Sequence, residues 1–369
     1  MILQRRERAR VPPRDDKTWQ WQIRHAVTTV DALSAALPLT PRELEGARRA
    51  ERQGLPMSIT PYYLSLCDPR DEACPVRVQC VPDGREAIHV TGDLEDPLGE
   101  VAHEVAPNLV QRYPDRVLLL ATDRCAVYCR FCTRSRMVGA AGGAVSLEAL
   151  GPALSFIREN PQIRDVIVSG GDPLAMSTEK LVRVVAAVRA IPSVETIRLA
   201  TRVPVTLPMR ITAELLRALR PFHPLWVMTH FNHPKEMTRA SIAACNRLAN
   251  AGFPVMNQTV LLKGVNDDAQ TLESLFRALV RARVRPYYLL QADPVRGTSH
   301  LRTPLDAGLR IMGQLQGRLS GIALPKFICD TPGGKGKVPL LPEYLVSRSP
   351  GKTRLRTFRG EEVEYIDPP

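Results

Sequence analysis

The chain has 369 residues, with 50 Lys and Arg against 38 Asp and Glu and a formal net charge of +12. With 44% hydrophobic and 24% charged residues, the composition excludes a disordered chain, a collagen-like fibre and a small disulfide scaffold. The N-terminus lacks an apolar stretch after its charged residues, and no apolar run is long enough to span a bilayer. We therefore expect a cytoplasmic protein with no membrane partner, whose clustered cysteines are metal ligands or catalytic thiols.

The excess of arginine is one feature of nucleic-acid-binding proteins. Aromatic residues make up only 5% of the chain, and no long basic block with interleaved aromatic residues occurs. We therefore interpret most arginines as a solvated surface and expect no nucleic-acid partner.

The first hundred residues predict a helical and irregular region. Residues 31–37 and 40–52 have helical spacing, and Thr40, Pro41 and Glu43 form a helix start with a capping threonine. Residues 56–100 are rich in Pro, Asp and Gly, which favours loops and short elements. We assign residues 1–105 to a mostly helical N-terminal region.

From residue 117 onward, apolar β-rich runs alternate with amphipathic helical stretches in a repeat typical of βα units. The predicted strands are residues 117–122, 166–169, 196–201, 225–230, 254–262 and 286–291. The predicted helices are residues 147–159, 178–190, 235–251, 269–283 and 305–319. Strands this apolar indicate a parallel sheet buried on both faces. Six units fall short of an eight-stranded barrel, so we predict an α/β fold with a partial barrel. A doubly wound open sheet is the alternative, and function is expected where the strands end.

Three cysteines follow the first predicted strand at the spacing CxxxCxxC: Cys125, Cys129 and Cys132. Three thiolates on one loop can hold an iron–sulfur cluster, whereas a structural zinc site would need a fourth ligand at suitable spacing, which does not follow. Three ligands on a four-iron cluster leave one iron open, as catalysis requires. Three buried cysteines without a metal are the weaker interpretation, because thiols this dense invite oxidation.

The second predicted strand ends in a polar, glycine-rich run formed by Ser169, Gly170, Gly171 and Asp172. Two glycines allow a backbone to approach a ligand closely, and a carboxylate can accept a hydrogen bond from an ammonium group. Taken alone, such a run is more often a turn than a binding site.

Polar residues also mark two later strands. His230 lies in the run Thr-His-Phe-Asn-His-Pro, whose histidines could be metal ligands or the polar wall of a ligand pocket. Asn257 and Gln258 lie inside an apolar strand, where an unpaired amide is costly. We expect these amides to have a partner, and a cofactor is a good candidate.

A glycine-rich loop after Asp330 carries Lys335 and Lys337 but does not satisfy the Walker A pattern. A lysine on such a loop can form a Schiff base with pyridoxal phosphate (PLP). Upstream, Arg112 and Arg116 are spaced to clamp a phosphate, although surface arginines are the common alternative.

In combination these motifs resemble the radical S-adenosylmethionine (SAM) enzymes, and within them the lysine 2,3-aminomutase family. The resemblance implies a partial (β/α)6 barrel over residues 106–300 and a C-terminal segment over residues 301–369 that carries the PLP lysine. It also implies three cofactors, namely a [4Fe-4S] cluster, SAM and PLP.

The resemblance implies a role for each matching residue. The cluster ligands would be Cys125, Cys129 and Cys132, and the SAM-binding residues Ser169, Gly170, Gly171, Asp172, His230 and Gln258. PLP would be held by Arg112, Arg116 and the catalytic Lys337, with Lys335 as the other candidate for the Schiff base. The substrate would be bound by Arg134 at its carboxylate and by Asp293 and Asp330 at its side-chain ammonium.

The reaction implied is the interconversion of L-lysine and L-β-lysine, in which the α-amino group migrates from C2 to C3 through a PLP aldimine. Arginine 2,3-aminomutase and the mutase that makes β-lysine for elongation factor P are the nearest alternatives. A radical SAM enzyme acting on RNA and a non-catalytic iron–sulfur or zinc protein leave Lys337, Asp293 and Asp330 unexplained. We expect an amino acid substrate, an external one-electron reductant of the flavodoxin or ferredoxin type, and a homo-oligomer.

Overall fold

The structure is a computed structural model that describes residues 17–53, 57–139 and 143–368. Its N-terminal region is a set of short helices, namely α1 (Trp19–Arg24), α2 (Val30–Ala36), α3 (Pro41–Arg52) and α4 (Pro61–Leu64). At the start of α3 the Thr40 hydroxyl accepts from the Glu43 N–H at 3.3 Å, while the Glu43 carboxylate accepts from the Thr40 N–H at 2.8 Å. The predicted helix start is confirmed. Of the stretch 56–100, predicted as loops and short elements, residues 57–100 consist of loops, the one-turn helix α4 and short 3-10 turns.

Within the described residues, ten strands form one sheet in chain order. They are β1 (Glu104–Ala106), β2 (Leu109–Tyr113), β3 (Arg116–Thr122), β4 (Asp165–Gly170), β5 (Thr196–Ala200), β6 (Leu225–Thr229), β7 (Val255–Leu261), β8 (Arg285–Gln291), β9 (Lys326–Asp330) and β10 (Lys337–Leu340). Neighbours from β3 to β9 pair in parallel, whereas β1, β2 and β10 add antiparallel edges. All six predicted strands are confirmed, and the parallel strand β9 was not predicted.

Helices follow the parallel strands and cover them. They are α5 (Gly151–Glu159), α6 (Thr178–Arg189), α7 (Val203–Thr206), α8 (Ala213–Leu219), α9 (Arg239–Asn250), α10 (Ala269–Arg281) and α11 (Leu305–Leu315). The predicted helix over residues 235–251 begins later, at Arg239, because Thr238 caps α9 and accepts from the Ser241 N–H at 3.1 Å. Apolar side chains on one face of each strand, such as Val166 and Val168 of β4, are fully buried in the core beneath these helices.

The sheet curls until its two ends meet. The Tyr113 hydroxyl at the end of β2 accepts from the Lys337 N–H at the start of β10, at 2.9 Å. The Arg112 guanidinium reaches Asp330 at the end of β9, with 3.1 Å to each carboxylate oxygen. We call this junction the seam. The partial barrel is thus an open sheet whose ends are joined by side chains.

The predicted segment boundaries do not divide folding units. The boundary at residues 105 and 106 falls inside β1, and that at residues 300 and 301 falls inside a 3-10 turn, Ser299–Leu301. Strands β9 and β10 continue the barrel sheet beyond it. A separate three-stranded antiparallel sheet, which was not predicted, follows as β11 (Leu345–Ser349), β12 (Lys352–Arg356) and β13 (Glu362–Ile366).

Among the described helices, none has the length and apolar character needed to cross a membrane.

Candidate active site

The cysteine loop follows β3 at the carboxyl edge of the sheet. Burial raises the pKa of all three thiols, that of Cys132 to about 11, and the Cys129 charge raises the pKa of Cys125 and Cys132 further. The three sulfurs are therefore close enough to repel one another as thiolates, and a positively charged group between them would reverse that cost. This donor set fits an iron–sulfur cluster.

No group of three or more His, Cys, Asp or Glu side chains in residues 17–53, 57–139 and 143–368 is arranged around a single metal ion. The cysteine loop is consistent with that finding, because a cluster is larger than one ion and its thiolates bind different irons.

Gly170 and Gly171 bring the end of β4 against the cysteine loop. A Cβ at Gly170, whose φ is +120°, would lie 2.1 Å from the Thr122 carbonyl oxygen, and one at Gly171 would lie 2.4 Å from that of Arg124. The Gly171 N–H donates to the Thr122 carbonyl at 2.5 Å. Only glycine allows this contact, so the two glycines place the predicted SAM-binding segment beside the cysteine loop.

Asp172 is buried and hydrogen-bonded to two loops. Its carboxylate accepts from the Leu174 N–H at 3.0 Å, the Thr201 hydroxyl at 2.6 Å and the Arg202 N–H at 2.6 Å. Burial raises the pKa of Asp172, and these hydrogen bonds oppose the rise. These hydrogen bonds join the loops after β4 and β5 through the Asp172 carboxylate, and its contact with the SAM amino group stays a prediction. Ser169 is buried, and its hydroxyl accepts from Arg134 at 3.5 Å.

His230 directly follows β6, and Gln258 lies on the neighbouring strand β7. The His230 Nε2 is 3.0 Å from the Asn232 Oδ1, and burial, reinforced by the Arg202 charge, lowers its pKa to about 3. The imidazole is therefore neutral. Gln258 is half-buried and pairs in register with Tyr288 of β8.

Asn257 does not need a cofactor. Its side-chain oxygen accepts from the Phe231 N–H at 2.7 Å, and its amide donates to the Phe231 carbonyl at 3.1 Å. The expectation that a cofactor pairs with Asn257 is wrong, because the backbone after β6 satisfies the amide.

Lys337 and Asp330 meet at the seam. The Lys337 ammonium contacts the Asp330 carboxylate, which also accepts from Arg112. Asp330 is buried, whereas Lys335 is exposed. The structure therefore directs Lys337, and not Lys335, into the site.

Arg112 and Arg116 both lie near the ring of Tyr113. Their guanidinium carbons are 6.0 Å and 4.5 Å from the centre of its ring. Arg116 is paired with Asp115, its Nε lying 2.9 Å from Oδ1, whereas Arg112 is paired with Asp330. The two arginines are thus brought together near the lysine loop, each with a carboxylate partner.

Asp293 follows β8 and faces the same group of charges. Burial raises its pKa to about 7, and the charge of Asp330 adds to the rise, while Lys337 and Arg112 oppose it. A buried carboxylate that lies close to a second carboxylate can form a site for a cation. This pair is the arrangement expected for an ammonium group of a substrate.

Arg134 lies next to a carboxylate that sequence reasoning missed. Its Nε donates to Glu100 at 2.9 Å and 3.1 Å, and Arg136 donates to the same carboxylate at 3.3 Å. Burial alone would lower the pKa of Arg134, but Glu100 raises it. No local pattern identifies Glu100, because it belongs to a loop that reaches the site only in the fold.

A second missed group surrounds Arg202, directly after β5. Its guanidinium contacts Cys129, Gln79, Tyr63 and Glu236. One signal was available, since Arg202 lies at the strand end where the other unusual residues lie. The partners Tyr63 and Gln79 come from the N-terminal region and have no such signal.

The comparisons with known proteins agree with this geometry. Residues 119–275, which include the cysteine loop, match the radical SAM superfamily, and residues 312–369 match the family described as lysine-2,3-aminomutase. The fold and the cysteine loop thus define the class: the chain is a radical SAM enzyme.

Curated relatives specify the family. L-lysine 2,3-aminomutase from Clostridium subterminale is 47% identical over 96% of this chain and 85% of that protein. L-lysine 2,3-aminomutase from Bacillus subtilis is 46% identical over 97% of this chain and 76% of that protein. Glutamate 2,3-aminomutase from Clostridioides difficile is 42% identical over 96% of this chain and 84% of that protein. The chain belongs to the lysine 2,3-aminomutase family of isomerases, as its motifs predicted.

Proposed function

We propose that this protein interconverts L-lysine and L-β-lysine by moving the α-amino group to C3. The observation that carries the proposal is the carboxylate pair Asp293 and Asp330 beside Lys337, with Arg134 also at the carboxyl edge of the sheet. A cation site beside a reactive lysine, together with a separate arginine, suits a substrate with a side-chain ammonium and a carboxylate.

The residues present fit the three cofactors. The cluster would be held by Cys125, Cys129 and Cys132, and SAM would lie beside Ser169, Gly170 and Gly171, with His230 and Gln258 on the later strands. Together the reduced cluster and SAM supply a carbon radical that removes a hydrogen atom from the substrate. The electron would come from a flavodoxin or ferredoxin in the cytoplasm.

PLP would be held by Lys337, with Arg112 and Arg116 as partners of its phosphate. The cofactor supplies the conjugated ring that carries the migrating nitrogen. Lys337 contributes a primary amine, and Asp330 and Arg112 fix its position. Because Asp330 also faces Asp293, the same carboxylate links the lysine loop to the substrate ammonium.

The family contains more than one substrate specificity, as the relative named glutamate 2,3-aminomutase indicates. An acidic substrate side chain would meet two carboxylates, whose repulsion disfavours binding. Arginine remains the second candidate, because a guanidinium can also bind two carboxylates.

The deciding experiment is anaerobic reconstitution of the purified chain with iron and sulfide, followed by assays with SAM, PLP and a reductant. We expect turnover of lysine in preference to arginine and glutamate. Equal or higher kcat/KM for arginine would identify arginine as the substrate, and isomerisation of none of the three would contradict the proposal. The molar mass in solution would test the expected homo-oligomer.

A further inference from the structure

Arg202 lies against one of the three cysteines of the loop. Its Nη1 donates to the Cys129 sulfur at 2.8 Å. Its Nε donates to the His230 carbonyl at 3.3 Å, and its Nη2 contacts the Tyr63 hydroxyl at 3.0 Å. Every nitrogen of this guanidinium has a partner, so its orientation toward the sulfur is fixed.

Aromatic rings and burial hold Arg202 in place. Its guanidinium carbon is 5.4 Å from the ring centres of both Tyr63 and Phe131, and the residue is 7% exposed. A charged hydrogen bond in such a dry environment is stronger than one in water. Solvent therefore weakens the interaction between the Arg202 guanidinium and the sulfur only slightly.

Glu236 balances that charge. Its carboxylate is fully buried and accepts from the Arg202 Nη2 at 2.7 Å, the Tyr63 hydroxyl at 2.7 Å and the Asn232 N–H at 2.6 Å. The Arg202–Glu236 pair thus places the positive guanidinium against the Cys129 sulfur and the negative carboxylate on another nitrogen of that guanidinium.

The proposal depends on how hydrogen bonds act on cluster sulfurs. One electron from the external reductant makes the cluster and its thiolates more negative, with no bond made or broken. Donors and positive charges at a ligating sulfur stabilise that reduced form and raise the reduction potential. We propose that Arg202 sets the reduction potential of the cluster through its hydrogen bond to Cys129, and that Glu236 limits the rise. The inference rests on the proposed assignment of Cys129 as a cluster ligand.

The test is a redox titration of the reconstituted full-length protein without SAM, followed by electron paramagnetic resonance of the reduced cluster. We expect Arg202→Gln to make the reduction potential of the cluster more negative by about 59 mV. For a one-electron couple this shift lowers the ratio of reduced to oxidised cluster about tenfold at a fixed applied potential. Arg202→Lys keeps the charge but shortens the reach, so its potential should lie between those of Arg202→Gln and the wild type. Glu236→Gln should shift the potential in the opposite direction, to less negative values.

Opposite shifts separate electrostatic tuning from damage to the fold, since damage would not give the two variants opposite signs. The matched control is Arg210→Gln. Arg210 is also fully buried, but it donates to the carbonyls of Leu174 and Met176 at 3.0 Å and 3.1 Å. We expect the potential of this variant to equal that of the wild type.

If Arg202→Gln has the wild-type iron content and the wild-type reduction potential, the inference is overturned. It is also overturned if this variant loses part of its cluster while the remaining clusters keep the wild-type reduction potential. Iron and sulfide content and the lysine assay report on the proposed function separately. A wild-type protein that binds the cluster but leaves lysine unchanged would contradict the proposed function alone. A wild-type protein that takes up no cluster would overturn both.

Discussion

The carboxylate of Asp293 can make substrate binding depend on pH. With its pKa raised to about 7 by burial and by Asp330, Asp293 is protonated in mildly acidic solution and ionised above neutrality. Only the ionised form attracts a substrate ammonium. Affinity for lysine should therefore fall as the pH decreases through this range, in contrast to an ordinary aspartate, which stays ionised there.

We predict that the KM for lysine rises as the pH falls below about 7, following the pKa of Asp293. In Asp293→Asn the KM should be raised by about tenfold or more, because one charged hydrogen bond is lost, and should no longer change over this range. Steady-state kinetics between mildly acidic and mildly basic pH measure both effects. The exposed Asp306 offers a control, and Asp306→Asn should retain the wild-type profile.

A second prediction concerns the reactive lysine. Lys337 reaches Asp330 inside the site, whereas Lys335 is exposed. Borohydride reduction of the PLP-loaded protein should label Lys337, as read by peptide mass spectrometry. Lys337→Ala should abolish labelling and turnover, and Lys335→Ala should keep both. Label on Lys335 in the wild type would refute the assignment.

The lysine loop depends on a neighbouring segment. The backbone around Gly99 is in close contact with the backbone around Gly334. A Cβ at Gly334 would be 2.5 Å from the Leu98 carbonyl oxygen, and a Cβ at Gly99 would be 2.8 Å from the carbonyl carbon of Gly333. The Gly333 N–H donates to the Pro97 carbonyl at 3.0 Å. The loop is therefore held by a close backbone contact, and side-chain volume there would move Lys337.

Two adjacent glycines allow a matched test of this contact. Gly333 and Gly334 have φ values of +75° and +76°, so both pay a similar backbone cost on substitution, of about 1 kcal/mol or more. A Cβ at Gly333 has no atom within 4 Å. We predict that Gly334→Ala lowers PLP occupancy, measured by its absorbance, far more than Gly333→Ala does. Equal occupancy in the two variants would show that the close contact does not matter.

Prediction from the sequence succeeded for helices and strands with a clear hydrophobic period. It failed for residues whose position depends on contacts with residues distant in the sequence. The six apolar strands and the α3 capping box were predictable because their signals are local. Strand β9 is as long as β5 and β6 but was missed, because its sequence Lys-Phe-Ile-Cys-Asp has a charged residue at each end and an apolar run of only three residues. Glu100, Tyr63 and Gln79 have no local pattern, since only the fold brings them to Arg134 and Arg202. The hydrogen bonds that Asp172 accepts from the loops after β4 and β5 were not predicted, because they also depend on contacts between distant residues.

At the scale of the whole molecule, the N-terminal region and the barrel share buried polar contacts. The Thr60 hydroxyl donates to the Thr206 carbonyl at 2.8 Å, and the Tyr63 hydroxyl donates to Glu236 at 2.7 Å. Unfolding of either the N-terminal region or the barrel alone would leave buried polar groups of the other unpaired. Each unpaired group would cost about 1–3 kcal/mol of free energy. The two regions should therefore unfold together.

We predict a single calorimetric transition for the apoprotein under reducing conditions. Tyr63→Phe should lower its midpoint by several degrees, since it leaves Glu236 and Arg202 without one partner. Ser299→Ala, at a half-buried position in a 3-10 turn, should change the midpoint little. Two resolved transitions, one for each region, would contradict this expectation.

The seam has a consequence for how the protein matures. The cysteine loop comes from the first parallel strand of the sheet, whereas Lys337 opens the last strand and is held by Tyr113 from the opposite end. During synthesis the ribosome delivers the cysteines long before the lysine. A growing chain therefore exposes the three cysteines before the lysine loop and the strand that ends the sheet exist. On the proposed function, covalent attachment of PLP to Lys337 would require the completed sheet, so an absorbance assay of that attachment would report the fraction of fully folded molecules.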